Sequence, residues 1–263
     1  MAKSSELLAL RGKVAGKSFY AMKGVEGTLV RSINEGMSNR VKNDAAYANT
    51  RLNAAEFGSA GSMAGAVIRT VSKRWRTILQ AFATAMLTKA VRNLVIQDTT
   101  NAWGQRLLSV SGWQDVVRDA VSRLVKNSYS ENFANGITAS SSAVGHELDI
   151  NVTTTAQDSE ALVSLGATGV RYEIYRQFIT APAFVNGKYT APVASVEFVG
   201  AADTVIGTPT TALLGGNTDS LGEDSDSMES IIVVALPTRT VNGETYVLQE
   251  LCSCEWLPIT IGA

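Results

Sequence analysis

The sequence predicts an α+β chain: an N-terminal basic arm and a helical region with a long helix, followed by an antiparallel, immunoglobulin-like β-sandwich region. Three observations carry this reading. Apolar residues recur at helical spacing between residues 62 and 95. Short alternating stretches separated by turn residues fill positions 147–263. A polar segment with Ser140, Ser141 and Ser142 near its centre separates the two, and residues 129–146 are therefore the expected connector. The chain has 263 residues, 45% hydrophobic and 18% charged, enough for a substantial core.

Residues 1–42 read as an extended basic arm punctuated by Gly12, Gly16, Gly24, Gly27 and Gly36. Segments 17–22 and 28–33 form the strands of a hairpin turning near residues 23–27. Residues 43–128 read as helical. Asn43 or Asp44 caps a helix that runs to Phe57, where Gly58, Ser59, Gly61 and Ser62 end it. Ser62 then caps a long helix whose inward stripe is Val67, Val71, Trp75, Ile78, Leu79, Phe82, Met86, Leu87, Ala90, Leu94 and Val95. A further helix covers residues 113–126, capped by Ser111, with Val116, Val117, Ala120, Val121, Leu124 and Val125 inward. In it, Asp119 and Arg123 stand in the favourable i,i+4 order. About seven strands follow, at residues 147–153, 170–179, 184–189, 193–199, 231–236, 245–251 and 253–259. Within the third of these stretches Phe184-Val185 and Tyr189 flank Asn186-Gly187, a type I′ turn, and Asn242-Gly243 is a second hairpin turn. Residues 201–230 read as one long loop that orders in an assembly.

The net charge of −1 hides a split. Residues 1–130 hold 19 Lys and Arg against 8 Asp and Glu, whereas residues 131–263 hold 4 against 16. Such a layout predicts a charged partner for each half: nucleic acid or an acidic protein for the basic half, or head-to-tail self-association. The predicted contact residues are Arg69, Lys73, Arg74, Arg76, Lys89 and Arg92 on the basic side, and Asp224, Asp226 and Glu229 on the acidic side. No acidic residue lies between Glu56 and Asp98, so the long helix needs compensation from outside itself.

No residue set points to catalysis. Gly16-Lys17-Ser18 lacks the glycine five residues upstream that a phosphate loop needs, because position 11 is Arg. His146 is the single histidine, in a polar connector, and no Gly-x-Ser-x-Gly turn presents a serine to it. Glu223, Asp224, Asp226 and Glu229 lack the spacing of a calcium loop. Cys252 and Cys254 are too close in a strand for an unstrained disulfide, and with one His they make no zinc site. Trp75, Trp103 and Trp113 read as packing residues rather than a base-stacking platform. No cofactor and no metal are expected. Residues 1–11 have no long apolar core, which predicts no signal peptide. No stretch approaches 18 uninterrupted apolar residues, which predicts no membrane partner.

About 90 N-terminal residues carry a further pattern: Gly12-Lys13-Val14, Phe19, Lys23-Gly24, Val30-Arg31, Asn49-Thr50-Arg51 and Phe57, ahead of the long helix. The pattern resembles an uncharacterised structural-protein family common in gut Bacteroidetes and their phages, departing from it at Ala15, where Gly is expected, and around residues 21–26. The layout looks like that of neck or tail ring proteins of crAss-like phages. The resemblance implies a virion component: a homo-oligomeric ring, with a dodecamer among the candidate sizes, beside portal or other ring proteins. DNA would pass through its channel without sequence-specific binding. The alternative from the residues is a capsid-associated or surface module whose β-sandwich recognises a partner or a glycan.

Overall fold

The computed structural model describes residues 2–4, 11–22, 25–33, 36–71, 75–126, 137–141, 148–154, 160–206, 210–214, 225–258 and 260–261. The chain is mixed helix and antiparallel sheet, an α+β arrangement. It divides into two compact units, Met1–Asn53 and Ala54–Ala263.

The first unit is a four-stranded sheet followed by a short helix. Strands β1 (Ala2–Ser4), β2 (Gly12–Val14), β3 (Lys17–Tyr20) and β4 (Thr28–Ser32) pair antiparallel in the order β1-β4-β3-β2. The hairpin expected from residues 17–33 is thus formed by β3 and β4. The tight turn joining β2 to β3 is Ala15-Gly16, with φ of 47° and 71°. Two positive φ values are what a type I′ hairpin turn demands. Gly-Lys-Ser is therefore a hairpin turn leading into β3. Helix α1 (Met37–Asn43) starts at Gly36, and Asp44 then caps the 3-10 turn Ala45–Tyr47 by accepting from the Ala46 N–H at 3.0 Å. Arg51 closes the corner, donating to the carbonyls of Val41 (2.8 Å) and Asp44 (2.9 Å).

Helix α2 (Ala48–Thr70) runs through Gly58, Gly61 and Ser62 without interruption, so the predicted break after Phe57 does not occur. Its six alanines favour helix. A Cβ on Gly61 would stand at ordinary contact distance, 3.9 Å from the Thr88 methyl, and nothing lies within 4 Å of one on Gly58. The inward stripe is Glu56, Ala60, Met63, Val67 and Thr70, at i, i+4, i+7, i+11 and i+14.

The single helix expected from Ser62 to Val95 is instead the end of α2, a 3-10 turn at Arg76–Ile78 and α3 (Ala83–Val95). Between the helices the backbone pairs with the segment after α4. Leu79 bridges Val125, the Gln80 N–H donates to the Leu124 carbonyl (2.8 Å), and the Lys126 N–H donates to the Ile78 carbonyl (2.9 Å). Thr70 prepares the break, its hydroxyl donating to the Val67 carbonyl at 2.7 Å. No Gly or Pro marks this break, and most of the stripe stays buried across it. Phe82 and Met86 are exceptions: they are exposed, because α3 starts afresh at Phe82 (φ 69°). Helix α4 (Trp113–Ser122) begins at Gly112 rather than Ser111, and Val116 faces outward. Asp119 and Arg123 pair at 2.8 Å as expected.

The rest of the second unit is built on two sheets. β5 (Ile137–Ser141), β6 (Leu148–Thr154), β11 (Thr210–Leu214) and β15 (Thr260–Ile261) form one, ordered β11-β6-β5-β15. β5 falls inside the expected connector. The larger sheet contains β7 (Gly169–Thr180), β10 (Ala194–Val205), β12 (Ser227–Val241), β13 (Glu244–Val247) and β14 (Ser253–Leu257). Its order is β10-β7-β12, with β13 and β14 sharing the far side of β12. A small hairpin, β8 (Phe184–Val185) and β9 (Lys188–Tyr189), turns at Asn186-Gly187 (φ 51° and 78°), and Asn242-Gly243 joins β12 to β13 (φ 54° and 83°). Helix α5 (Glu160–Ser164) precedes β7. The stretch 201–230 is not the single loop expected: β10 extends to Val205, β11 occupies Thr210–Leu214 and β12 begins at Ser227.

All residues of β12 from Ser227 to Thr238 are buried, so it shows no polar alternation. Met228, Ile232, Val234 and Leu236 join the helical residues, Cys252, Cys254 and Trp256 in one core. Ile231, Val233 and Ala235 join Leu162, Val170, Tyr172 and Ile174 in a second core on the opposite face. Pro237 sits where β14 ends and β13 has not begun, so its missing N–H leaves no ladder bond unmade.

Ala15 pays the conformational strain of a left-handed residue in the first hairpin. Ala15→Gly should stabilise the chain against urea by about 0.5–1 kcal/mol, an effect that Gly16→Ala should reverse.

Candidate functional site

The predicted basic contact face is only partly a free surface. Arg69 is exposed on α2, its guanidinium folded so close to Gly65 that a Cβ there would meet Nη1 at 2.8 Å. Lys89 is exposed on α3. Lys73 and Arg74 lie outside the described residues, as does the side chain of Arg76. Arg92 is committed inside the fold, 3.6 Å from the fully buried carboxylate of Glu56. Arg106 approaches the other oxygen of that carboxylate at 3.0 Å, and the Gly104 N–H donates to it at 2.8 Å. The compensation that α3 needs thus comes in part from the same chain. Glu56 and Arg92 are 36 positions apart, and no helical spacing rule connects them.

Asp98 holds the same corner. It accepts from the backbone N–H groups of Thr100 (2.9 Å), Asn101 (3.2 Å) and Leu107 (2.8 Å) and from the Asn101 amide (2.8 Å). Burial alone would raise its pKa, but these four bonds outweigh it and hold the carboxyl at about 2. Tyr189 donates to the Arg106 carbonyl at 2.8 Å. Burial, followed by the charge of Glu56, pushes its phenol up to about 12.

On the acidic side, Asp224 and Glu223 lie outside the described residues, as does His146, and Asp226 is exposed. Glu229 is not part of a surface patch. It is 2% exposed within β12, its carboxylate pairs with Arg176, and its carbonyl accepts from Arg118 at 2.7 Å. Arg118 also donates to the Ser230 hydroxyl (3.0 Å) and pairs with Asp115 (2.6 Å). Burial lowers its pKa, which the two acids counteract. The notable feature is a buried arginine on α4 that fastens helix to sheet. Its signal in the sequence was weak, since position 118 falls on the apolar stripe between Val117 and Val121.

The tryptophans fasten the same layer. Trp75 is buried and donates to the Glu173 carboxylate (3.0 Å) and the Tyr175 hydroxyl (3.2 Å). Trp113 donates to the Ser225 carbonyl at 2.9 Å. Trp103 is 40% exposed. The two cysteines are thiols outside any disulfide, both buried in the core, and burial raises the Cys254 thiol.

The clefts among the described residues of the second unit include two of similar size. A polar one of about 700 Å³ is bordered by Thr168, Arg171, Glu173, Asp203, Thr240 and Thr245. Arg171 lies 3.7 Å from Glu173 and 3.8 Å from Asp203. The hydroxyls are engaged: Thr240 and Thr245 bond each other at 3.2 Å, and Thr168 accepts from the Thr240 N–H at 3.0 Å. The other, about 670 Å³, is more apolar and bordered by Leu107, Leu108, Phe178, Pro182 and Val193. In the second, the Ser225 hydroxyl donates to the Asp226 carboxylate at 2.5 Å. Among the described residues no three His, Cys, Asp or Glu side chains are grouped to hold a metal ion. No described helix is long and apolar enough to cross a membrane.

What the surface does offer is strand edge. β10 pairs with β7 on one side, and Val196, Phe198 and Val205 on it are exposed. β2 is one of the two outer strands of the first sheet, with Val14 60% exposed. Such edges can accept a further strand. No protein-family profile matches the chain, and no curated protein is significantly similar to it.

Removing Glu56 deprives Arg92 and Arg106 of their buried anion. Glu56→Ala should destabilise the second unit by about 3–5 kcal/mol in chemical denaturation, and Lys89→Ala, on the exposed face of α3, by less than about 0.5 kcal/mol.

Proposed function

We propose that the chain is a structural component of a bacteriophage virion. In this reading it assembles as an oligomeric ring in the neck or tail, around the channel through which DNA passes, and performs no catalysis. The observation that carries the reading is the division of charge between the two compact units. Met1–Asn53 holds 9 Lys and Arg against 4 Asp and Glu, a net +5, and Ala54–Ala263 holds 14 against 20, a net −6. Units of opposite sign favour a heterologous contact between copies, and such a contact closes into a ring when its rotation closes. The exposed edges of β2 and β10 support the same reading.

The resemblance of the first 90 residues to Bacteroidetes phage structural proteins supports a virion location. In this proposal Arg69, Lys73, Arg74, Arg76 and Lys89 meet an acidic surface of a neighbouring copy or ring protein. Asp224 and Asp226 belong to the acidic side. The sheet β11-β6-β5-β15 forms the second layer of an immunoglobulin-like sandwich over the larger sheet.

A second reading, a capsid-associated or surface module that recognises a partner or a glycan, is favoured by one observation. The polar cleft beside Arg171 and Asp203 is lined with hydroxyl and charged groups suited to a polar ligand.

Light scattering of the purified chain at low and high salt, with negative-stain images of the same samples, separates the two. The ring reading predicts closed oligomers that loosen as salt screens the contact. A salt-indifferent monomer of 27.9 kDa contradicts it.

A further inference from the structure

β10 is the outer strand of the larger sheet, and residues 194–198 on it are all exposed. Their pairing with β7 is regular up to Phe198, where a bulge interrupts the register. An added strand therefore has five residues of straight edge at 194–198. Val196 and Phe198 lie opposite Gln177 and Tyr175 and share one face, while Glu197 points to the other. Val196 is 43% and Phe198 55% exposed. Soluble proteins usually guard such an edge with several charges or a proline, and residues 194–198 carry Glu197 alone.

β2 is one of the two outer strands of the N-terminal sheet, and Gly12, Lys13 and Val14 are all exposed. The two edges are complementary in alternation and charge. We infer that β2 of one copy adds antiparallel to residues 194–198 of β10 in a second copy. With Val14 opposite Val196, Lys13 falls opposite Glu197 and Gly12 opposite Phe198. This register sets an apolar pair, an ion pair and a glycine–aromatic pair side by side. The glycine leaves the exposed Phe198 ring a bare backbone to cover. The units that carry these strands have net charges of +5 and −6, so the approach is attractive at long range. The contact joins different surfaces on the two copies, the head-to-tail geometry a ring requires. The inference rests on the ring reading and names the strands that make its contact.

The test uses the full chain. Lys13→Cys and Glu197→Cys variants are prepared separately, mixed and oxidised; Cys252 and Cys254 are buried and do not compete. A disulfide-linked pair should form from the mixture and from neither variant alone. Lys13→Glu and Glu197→Lys should each raise the concentration needed for assembly about tenfold, and the two reversals in one chain should restore it. Oligomers that form normally, yield no mixed disulfide and ignore both reversals overturn this contact and leave the ring reading standing. A chain carrying both cysteines that closes on itself at high dilution also overturns it, because the pairing is then within one copy. A chain that stays monomeric at every concentration overturns both readings.

Discussion

The structure of the second unit depends on β12. Residues 227–238 of this strand are buried on both faces, and its backbone is paired on both sides. On one side it matches β7 without a break from Ser227–Thr180 to Thr238–Gly169. On the other, β14 and β13 divide the edge between them, with Pro237 at the gap. Its side chains alternate between two separate cores. A one-residue slip would exchange the two sets and bring Ser230 and Glu229 to the wrong faces. That register is also held by polar contacts. Arg118 reaches the Ser230 hydroxyl and the Glu229 carbonyl, and Arg176 pairs with the Glu229 carboxylate. Buried charges of this kind are costly when half satisfied, so each tolerates little displacement of its partner.

The same economy of charge limits which groups remain for partners. Arg92, Arg106, Arg118 and Arg176 all look like surface cations in a linear sequence, yet each is paired within the fold. Of the predicted basic contact residues, Arg69 and Lys89 are exposed, and the first unit is basic where the second is acidic. The contact surface proposed for assembly accordingly combines strand edges and unit-scale charge with those helical cations.

Some of this was legible in the sequence, and the physics says which parts. The Asn-Gly turns at 186–187 and 242–243 were legible because a type I′ turn needs two positive φ values and those residues tolerate them. The hairpin of β3 and β4 and the Asp119–Arg123 pair follow local rules of the same kind. The break between α2 and α3 was not legible: it contains no Gly or Pro and is imposed by pairing with residues 124–126. Gly58 and Gly61 misled in the other direction, because tertiary packing overrides their poor helix propensity. Glu229 read as part of a solvated acidic run, since Arg176 and Arg118 reach it only in three dimensions. Of the candidate site, the charge division was legible and the identity of the exposed cations was not.

Hydrogen exchange followed across protein concentration tests the account most directly, because it reads the central strand and the edge in one experiment. The amides of residues 231–236 should be among the slowest to exchange at every concentration. Those of residues 194–198 that point away from β7 should become protected only as the chain assembles. Fast exchange in β12 contradicts the role given to that strand. Protection of residues 194–198 that is already complete in the monomer contradicts the proposed edge contact.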